Sequence, residues 1–198
     1  MASLQFGSLV AIATLTFSCS SHPTVAEVVA PAPVPIKTAA KPVLSIETQQ
    51  VAAEQKAEFV TELSFHQKQE RLSAANKAMI QKLIVDAGKH GKVQEYRVIT
   101  WADAEYPSLQ AKKLPANERA IANRRNKAIQ SYIEKQNSHV KVKTYSMAER
   151  ANALKEFVGS SEARIKKSLE SSGIPTTDNS VKYPPKASKS IIMAVMEY

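Results

Sequence analysis

One helical row in this chain carries a residue that does not match its neighbours. Ile121, Arg125, Ile129 and Ile133 recur at four-residue intervals, so an arginine stands in an otherwise apolar stripe. Arginine is rarely buried without a partner. Two readings stay open. The aliphatic stem covers apolar surface while the head reaches water, or the guanidinium is held at the sheet edge to grip a carboxylate through two parallel hydrogen bonds. Asp103, two residues past Trp101 at the end of a strand, is the candidate fellow ligand. Loops that leave strand ends beside helix starts are common ligand sites.

Conventional catalysis finds little support. His22, His66, His90 and His139 stand in no HExxH pattern and beside no nucleophile motif. His90, in a Gly-rich turn, and His139, just before a strand, read as solvated turn residues. Glu149 is a lone carboxylate, whereas glycoside hydrolysis needs two opposed ones. No GxGxxG or P-loop cradles a phosphate. Cys19 is the single cysteine and can form no internal disulfide, zinc cage or CxxC pair. The expectation is a protein with no enzyme activity and no cofactor.

Composition narrows the class further. A hydrophobic fraction of 43% supports a packed core and excludes a wholly disordered chain. No apolar run of the roughly 18–20 residues needed for a stable span recurs, which excludes a multi-spanning membrane protein. The formal charge of +9 suits nucleic acid, anionic lipid or an acidic polymer. Aromatic residues scattered without a basic-aromatic strand motif disfavour nucleic acid.

The elements that must position Arg125 and Asp103 follow from periodicity. Phe59, Leu63 and Phe65 lie on one face of a strand, and Ser73 to Ala87 has helical spacing with Met79, Ile80, Leu83, Ile84 and Ala87 on one face. Gly88 and Gly91 are the stop signals. Glu95 to Trp101 reads as a strand, Lys112 to Pro115 as loop, Asn117 to Gln136 as a helix, and Val140 to Tyr145 as a half-buried strand. A third helical stretch, Ala153 to Ser171, ends at Gly173. A polar connection through Pro184-Pro185 then leads to a final apolar strand, Ser190 to Met196. The order β-α-β-α-β-(α)-β predicts an α+β fold: a two-layer sandwich with helices on one face of a small mixed sheet.

Met1 to Cys19 carries no charged side chain, and Leu9 to Phe17 is a short apolar core followed by small residues. The segment resembles a bacterial lipoprotein signal. That resemblance implies removal of residues 1–18, lipidation of Cys19 as the mature N-terminus and, with Ser20 next, delivery to the outer membrane. An ordinary secretory signal with an incidental cysteine is the other reading. Residues 19–50 hold five prolines, at 23, 31, 33, 35 and 42, interleaved with Ala and Val. They read as an extended tether, at about 3.1 Å per residue, ahead of a domain over 51–198.

Four motifs in order give that domain a family resemblance. Phe65 to Leu72 has a Phe then a Leu ahead of the first long helix; Thr100-Trp101-Ala102-Asp103 ends the second strand. Arg124-Arg125-Asn126-Lys127-Ala128-Ile129-Gln130-Ser131-Tyr132-Ile133 lies on the second long helix, and Ser146-Met147-Ala148-Glu149 follows the third strand. Together they resemble the OmpA-like peptidoglycan-binding domain of porin tails, peptidoglycan-associated lipoproteins and flagellar stator proteins. The resemblance implies non-covalent binding of the peptidoglycan stem peptide, with Asp103 taking the ammonium of diaminopimelate and Arg125 its carboxylate. Trp101, Ala102, Asn117 and Arg124 would flank the site. It also implies a periplasm-facing, lipid-anchored place at the outer membrane; a protein-interaction or adaptor module with a degenerate pocket is the alternative. The chain departs from the family pattern at Ala102, where the family has Thr, at Tyr106, where it has Gly, and at Ser146 and Ala148, where it has two glycines. About seven extra residues lie between Asp103 and Arg125.

Overall fold

The computed structural model describes residues 44–152, 159–177 and 186–197. Cys19, the signal, the prolines of the tether, residues 153–158 of the expected third helical stretch and Pro184-Pro185 lie outside the described residues.

Among the described residues four strands form one sheet: β1 (Ala57–Ser64), β2 (Val93–Thr100), β3 (Lys141–Ser146) and β4 (Lys189–Met196). Their order is β1-β4-β2-β3. β4 runs antiparallel to both β1 and β2, and β2 pairs parallel with β3. The last strand in sequence is therefore central in space, and the sheet is mixed, as expected. Among the described residues four helices accompany it: α1 (Ile46–Glu54), α2 (Ala74–His90), α3 (Ala116–Gln136) and α4 (Ser161–Ser171).

Local chemistry explains the helix ends. Ser45, Ser73 and Ser160 cap α1, α2 and α4, each side chain accepting a first-turn N–H. α2 runs through Gly88 and stops at Gly91, whose φ of 150° suits glycine. α4 closes with Gly173 at φ 80° while the Ile174 N–H reaches back to the Leu169 carbonyl. This is the Schellman arrangement, with Leu169 and Ile174 packed in one apolar cluster.

Alternation along β4 builds two cores. Ile192, Ala194 and Met196 meet Ile80, Leu83 and Ala87 of α2 and Ile129 and Ile133 of α3, together with Leu63, Phe65, Tyr96 and Val98. These two long helices form the expected helical layer. Ile191 and Met193 point the other way, into a cluster with Ile99, Trp101, Tyr145 and Met147. Val51 and Ala52 of α1 and Ile165 and Leu169 of α4 cover that cluster, so the structure adds a shorter helical layer on the second face.

α1 straddles the boundary expected at residue 50 between tether and domain. Lys186, just before β4 and 1% exposed, explains why it is bound there. Its Nζ donates to Ser45 Oγ, to Thr48 Oγ1 at 3.4 Å and to Glu62 Oε1 at 3.0 Å, and lies 3.8 Å from Glu47 Oε2. Thr48 and Ser45 also donate to Glu62. A chain starting at residue 51 would strand Lys186 with one partner, Glu62, and remove the first turn of α1 with its Ser45 cap. Urea unfolding is expected to show it less stable than a chain starting at residue 44 by on the order of 3 kcal/mol.

Candidate functional site

Arg125 lies in the buried row of α3, with Ile121, Ile129 and Ile133. It is 0% exposed, so the stem does not carry its head to water. The backbone supplies most of its partners. Nε donates to the Gln69 carbonyl at 2.7 Å, Nη1 to the Trp101 carbonyl at 3.1 Å, and Nη2 to the His66 carbonyl at 3.3 Å. Nη2 also donates to Asp103 Oδ1 at 2.6 Å. The guanidinium carbon stands 4.7 Å from the centre of the Phe65 ring.

Asp103 is held as firmly, with its side chain 9% exposed. Oδ1 accepts from Ser188 Oγ at 2.7 Å as well as from Arg125, and Oδ2 accepts from the Lys68 N–H at 2.5 Å. Both new donors belong to residues with left-handed backbone, Lys68 at φ 58° and Ser188 at φ 58°. Non-glycine residues adopt that region at a cost, and it clusters where surrounding contacts over-determine it. Glu118, on the first turn of α3, accepts from the Asp103 and Ala104 N–H groups at 2.9 and 3.2 Å and fixes the turn.

The two residues singled out from the sequence are therefore in direct contact, at the end of β2 and against α3. Their expected neighbours are placed differently. Trp101 and Ala102 are fully buried, their side chains in apolar clusters. They serve the pair through the backbone, Trp101 by its carbonyl to Arg125 and Ala102 by its carbonyl to the Ser188 N–H. Arg124 is exposed and pairs with Glu70 at 2.6 Å. Asn117 is exposed on the first turn of α3. Glu149, which has no partner evident in sequence, accepts from Arg119 at 3.1 Å and lies 3.8 Å from Lys113, so it braces the loop inserted before α3. Among the described residues, no three His, Cys, Asp or Glu side chains group to hold a metal ion.

Sequence reasoning missed Ser188, Lys68, Gln69 and His66. Three of the four act through backbone groups, which any residue type supplies. Glu118 had a signal, an acidic residue in the first turn of a helix.

The shifted carboxyls along the sheet and in the loop after β2 titrate in opposite directions. Burial opposes ionisation of Asp103, but the Ser188 hydroxyl, the Lys68 N–H and Arg125 outweigh it and hold its pKa below the ordinary 3.8. Burial likewise opposes ionisation of Glu62 and Glu95. Thr48, Lys186 and Ser45 lower the first below 4.5, and Lys143 and Arg97 lower the second. Glu105 goes up, because burial outweighs the Ala187 and Lys186 N–H groups it accepts from.

Comparison with known proteins gives a distant likeness among solved structures. No family model matches the chain, and no curated protein matches it. Among solved structures, the OmpA-like domain of FopA1 from Francisella tularensis subsp. tularensis SCHU S4 is similar, at 11% identity and a TM-score of 0.37. The alignment covers 68% of this chain and 70% of that one. The likeness concerns fold alone.

Two outcomes follow from the closed pair. Asp103→Asn leaves a buried cation and Arg125→Met a buried carboxylate, and each is expected to cost about 3–5 kcal/mol. The double variant is expected to lose clearly less than the sum of the two, which a double-mutant cycle by urea unfolding reads directly. Asp103, Glu62 and Glu95 have lowered values, so they contribute stability in full above their unfolded values of 3.8 to 4.5 and lose it as pH falls through the folded ones. Glu105, with a raised value, instead adds stability as it protonates on the way down. Unfolding free energy is expected to hold or rise slightly as pH falls towards 4.5 and then to drop steeply; a steady decline from neutral pH would contradict the assignment.

Proposed function

We propose that the chain is a membrane-tethered, non-enzymatic module of the cell envelope that binds the peptidoglycan stem peptide. Asp103 takes the ammonium and Arg125 the carboxylate of a diaminopimelate head. The observation that supports this is the meeting of Asp103 and Arg125, from segments 22 residues apart, at a contact of 2.6 Å. A zwitterionic head needs one anion and one cation a few ångströms apart, and this pair supplies both at a strand end. In this reading binding is an ion-pair exchange. The ligand carboxylate takes the place of Asp103 at Nη2, and the ligand ammonium takes the freed Asp103. The carbonyls of His66, Gln69 and Trp101 hold the guanidinium meanwhile.

A second reading has its own observation. Arg125 is fully buried and both Asp103 oxygens are engaged. A pair that stays shut is a structural tie, and the domain is then an adaptor that meets an envelope protein through another surface.

Co-sedimentation with intact cell wall separates the two without a mutation. The exchange reading expects the protein to sediment with diaminopimelate-type peptidoglycan, and about 10- to 100-fold more weakly with lysine-type wall. Lysine lacks the second carboxylate, and one charge-assisted hydrogen bond is worth about 1.5–3 kcal/mol. Equal sedimentation with both walls would sink the roles given to Asp103 and Arg125. No sedimentation with either, together with a protein partner recovered by cross-linking, would establish the adaptor.

A further inference from the structure

The second face of the sheet carries a charged cleft that the Asp103–Arg125 pair does not use. It lies between the end of α1, the middle of β2 and the outer side of α4. Its volume is about 530 Å³, and its lining includes Lys56, Arg97, Arg164, Lys167 and Ser168. Glu54 is the one carboxylate in the lining, against four cations.

Two details distinguish this cleft from a patch of surface lysines. Arg97 is oriented from behind: Nε donates to Glu95 Oε1 at 2.6 Å and Nη1 to Gln55 Oε1 at 2.6 Å. Those bonds fix the plane of the guanidinium and leave its Nη2 edge for a ligand. Glu95 also pairs with Lys143 at 2.5 Å, so Arg97, Lys143 and Glu95 together keep one net positive charge. The second detail is Ser168. It is 7% exposed, and its buried Oγ has no hydrogen-bond partner among the described residues. A buried hydroxyl without a partner is uncommon and calls for a physical account. The Oγ is closed to solvent as the side chain stands, and a turn about χ1 would bring it to a ligand oxygen in the cleft.

The geometry points to a binding site for a phosphate group in this cleft, formed by Lys56, Arg97, Arg164, Lys167 and Ser168. A phosphate brings one to two negative charges and several acceptor oxygens, which match a guanidinium edge, two ammonium groups, a second arginine and a hydroxyl donor. A single carboxylate would leave most of these donors unused. The volume exceeds that of a bare phosphate and leaves room for a glycerol or sugar to which it is esterified. The shared chemistry is a phosphate ester, whether a soluble one or a lipid headgroup. The site is independent of the stem-peptide reading, because it is on the other face of the sheet and shares no residue with it.

Titration of the full chain, followed by the amide signals of Lys56 and Ser168 and the Arg97 Nε–H signal, tests this with three probes: pyrophosphate, glycerol 3-phosphate and monomeric dihexanoyl-phosphatidylglycerol. Saturable shifts confined to these signals are expected with at least the first two. Tighter binding of the lipid than of glycerol 3-phosphate supports the site and assigns the source to a headgroup; equal or weaker binding supports it and assigns a soluble ester. Arg164→Glu with Lys167→Glu, both exposed, is expected to weaken pyrophosphate binding at least tenfold with the unfolding midpoint unchanged. Ser168→Ala is expected to weaken it severalfold. Absence of saturable shifts at these signals would overturn the proposal. So would an equal loss on reversing Lys77 and Lys82, which are exposed on α2 across the sheet, since that would make the effect one of net charge.

Discussion

A buried guanidinium organises one end of this fold. Arg125 must find acceptors or neutralise, and an arginine does not neutralise. Its four hydrogen bonds go to the segment leaving β1, at His66 and Gln69, and to the segment leaving β2, at Trp101 and Asp103. Asp103 then recruits the turn entering β4 through Ser188. One side chain on α3 thereby fixes the ends of three neighbouring strands relative to a helix. Such a pair is weak evidence of net stability, because apolar residues of equal volume often do as well. Its effect is on specificity: a register slip in β1, β2 or β4 would leave a buried charge unpaired.

A second buried cation ties the opposite face from the same turn. The turn before β4 carries Lys186, whose ammonium binds α1 and Glu62, and Ser188, whose hydroxyl binds Asp103. Its backbone is held too, the Lys186 and Ala187 N–H groups by Glu105. Asp103 and Glu105 are two residues apart and titrate in opposite senses. Asp103 has a cation in contact with its carboxylate. Glu105 has only N–H donors in direct contact, with lysine charges acting from further away. Burial of like groups gives unlike chemistry according to where the countercharge sits. The turn before β4 joins the two helical layers because Lys186 and Ser188 reach opposite faces across its left-handed bend.

The legible parts of the fold are those with strong period. α3 was expected from Asn117 to Gln136 and runs from Ala116, because its apolar row is regular and Pro115 marks its start. α2 runs three residues past the expected Ala87, since Gly88 points into open space and nothing there halts the helix. The first half of α1, residues 46–50, falls in the expected tether. The helix buries only Glu47, Thr48, Val51 and Ala52, too few apolar residues for a visible stripe, and it follows a proline-rich segment. The second helical layer did leave a signal. Ile191 to Met196 is apolar without alternation, and a strand of that kind is covered on both sides. Arg125 and Asp103 stood out because one breaks an apolar row and the other ends a strand. Lys186 did not, because it follows two prolines in a polar connection and its partners lie more than 120 residues away.

The closed state of the pair bears on how strong any binding at Asp103 and Arg125 could be. A ligand that meets an open anion and cation gains two charge-assisted hydrogen bonds outright. A ligand that must first part Asp103 from Arg125 gains two and forfeits one, while Asp103 keeps its bonds to Ser188 and Lys68 only if the turn before β4 does not shift. The net gain is then closer to one such bond than to two, about 1.5–3 kcal/mol before shape and solvation are counted. For a free protein that is a poor ligand site. For a module held at a surface facing a repeating polymer, effective concentration and the number of sites offset weak single contacts. A closed pair would suit a wall-binding role only in an anchored chain, which ties the proposed tether and the proposed site into one physical argument.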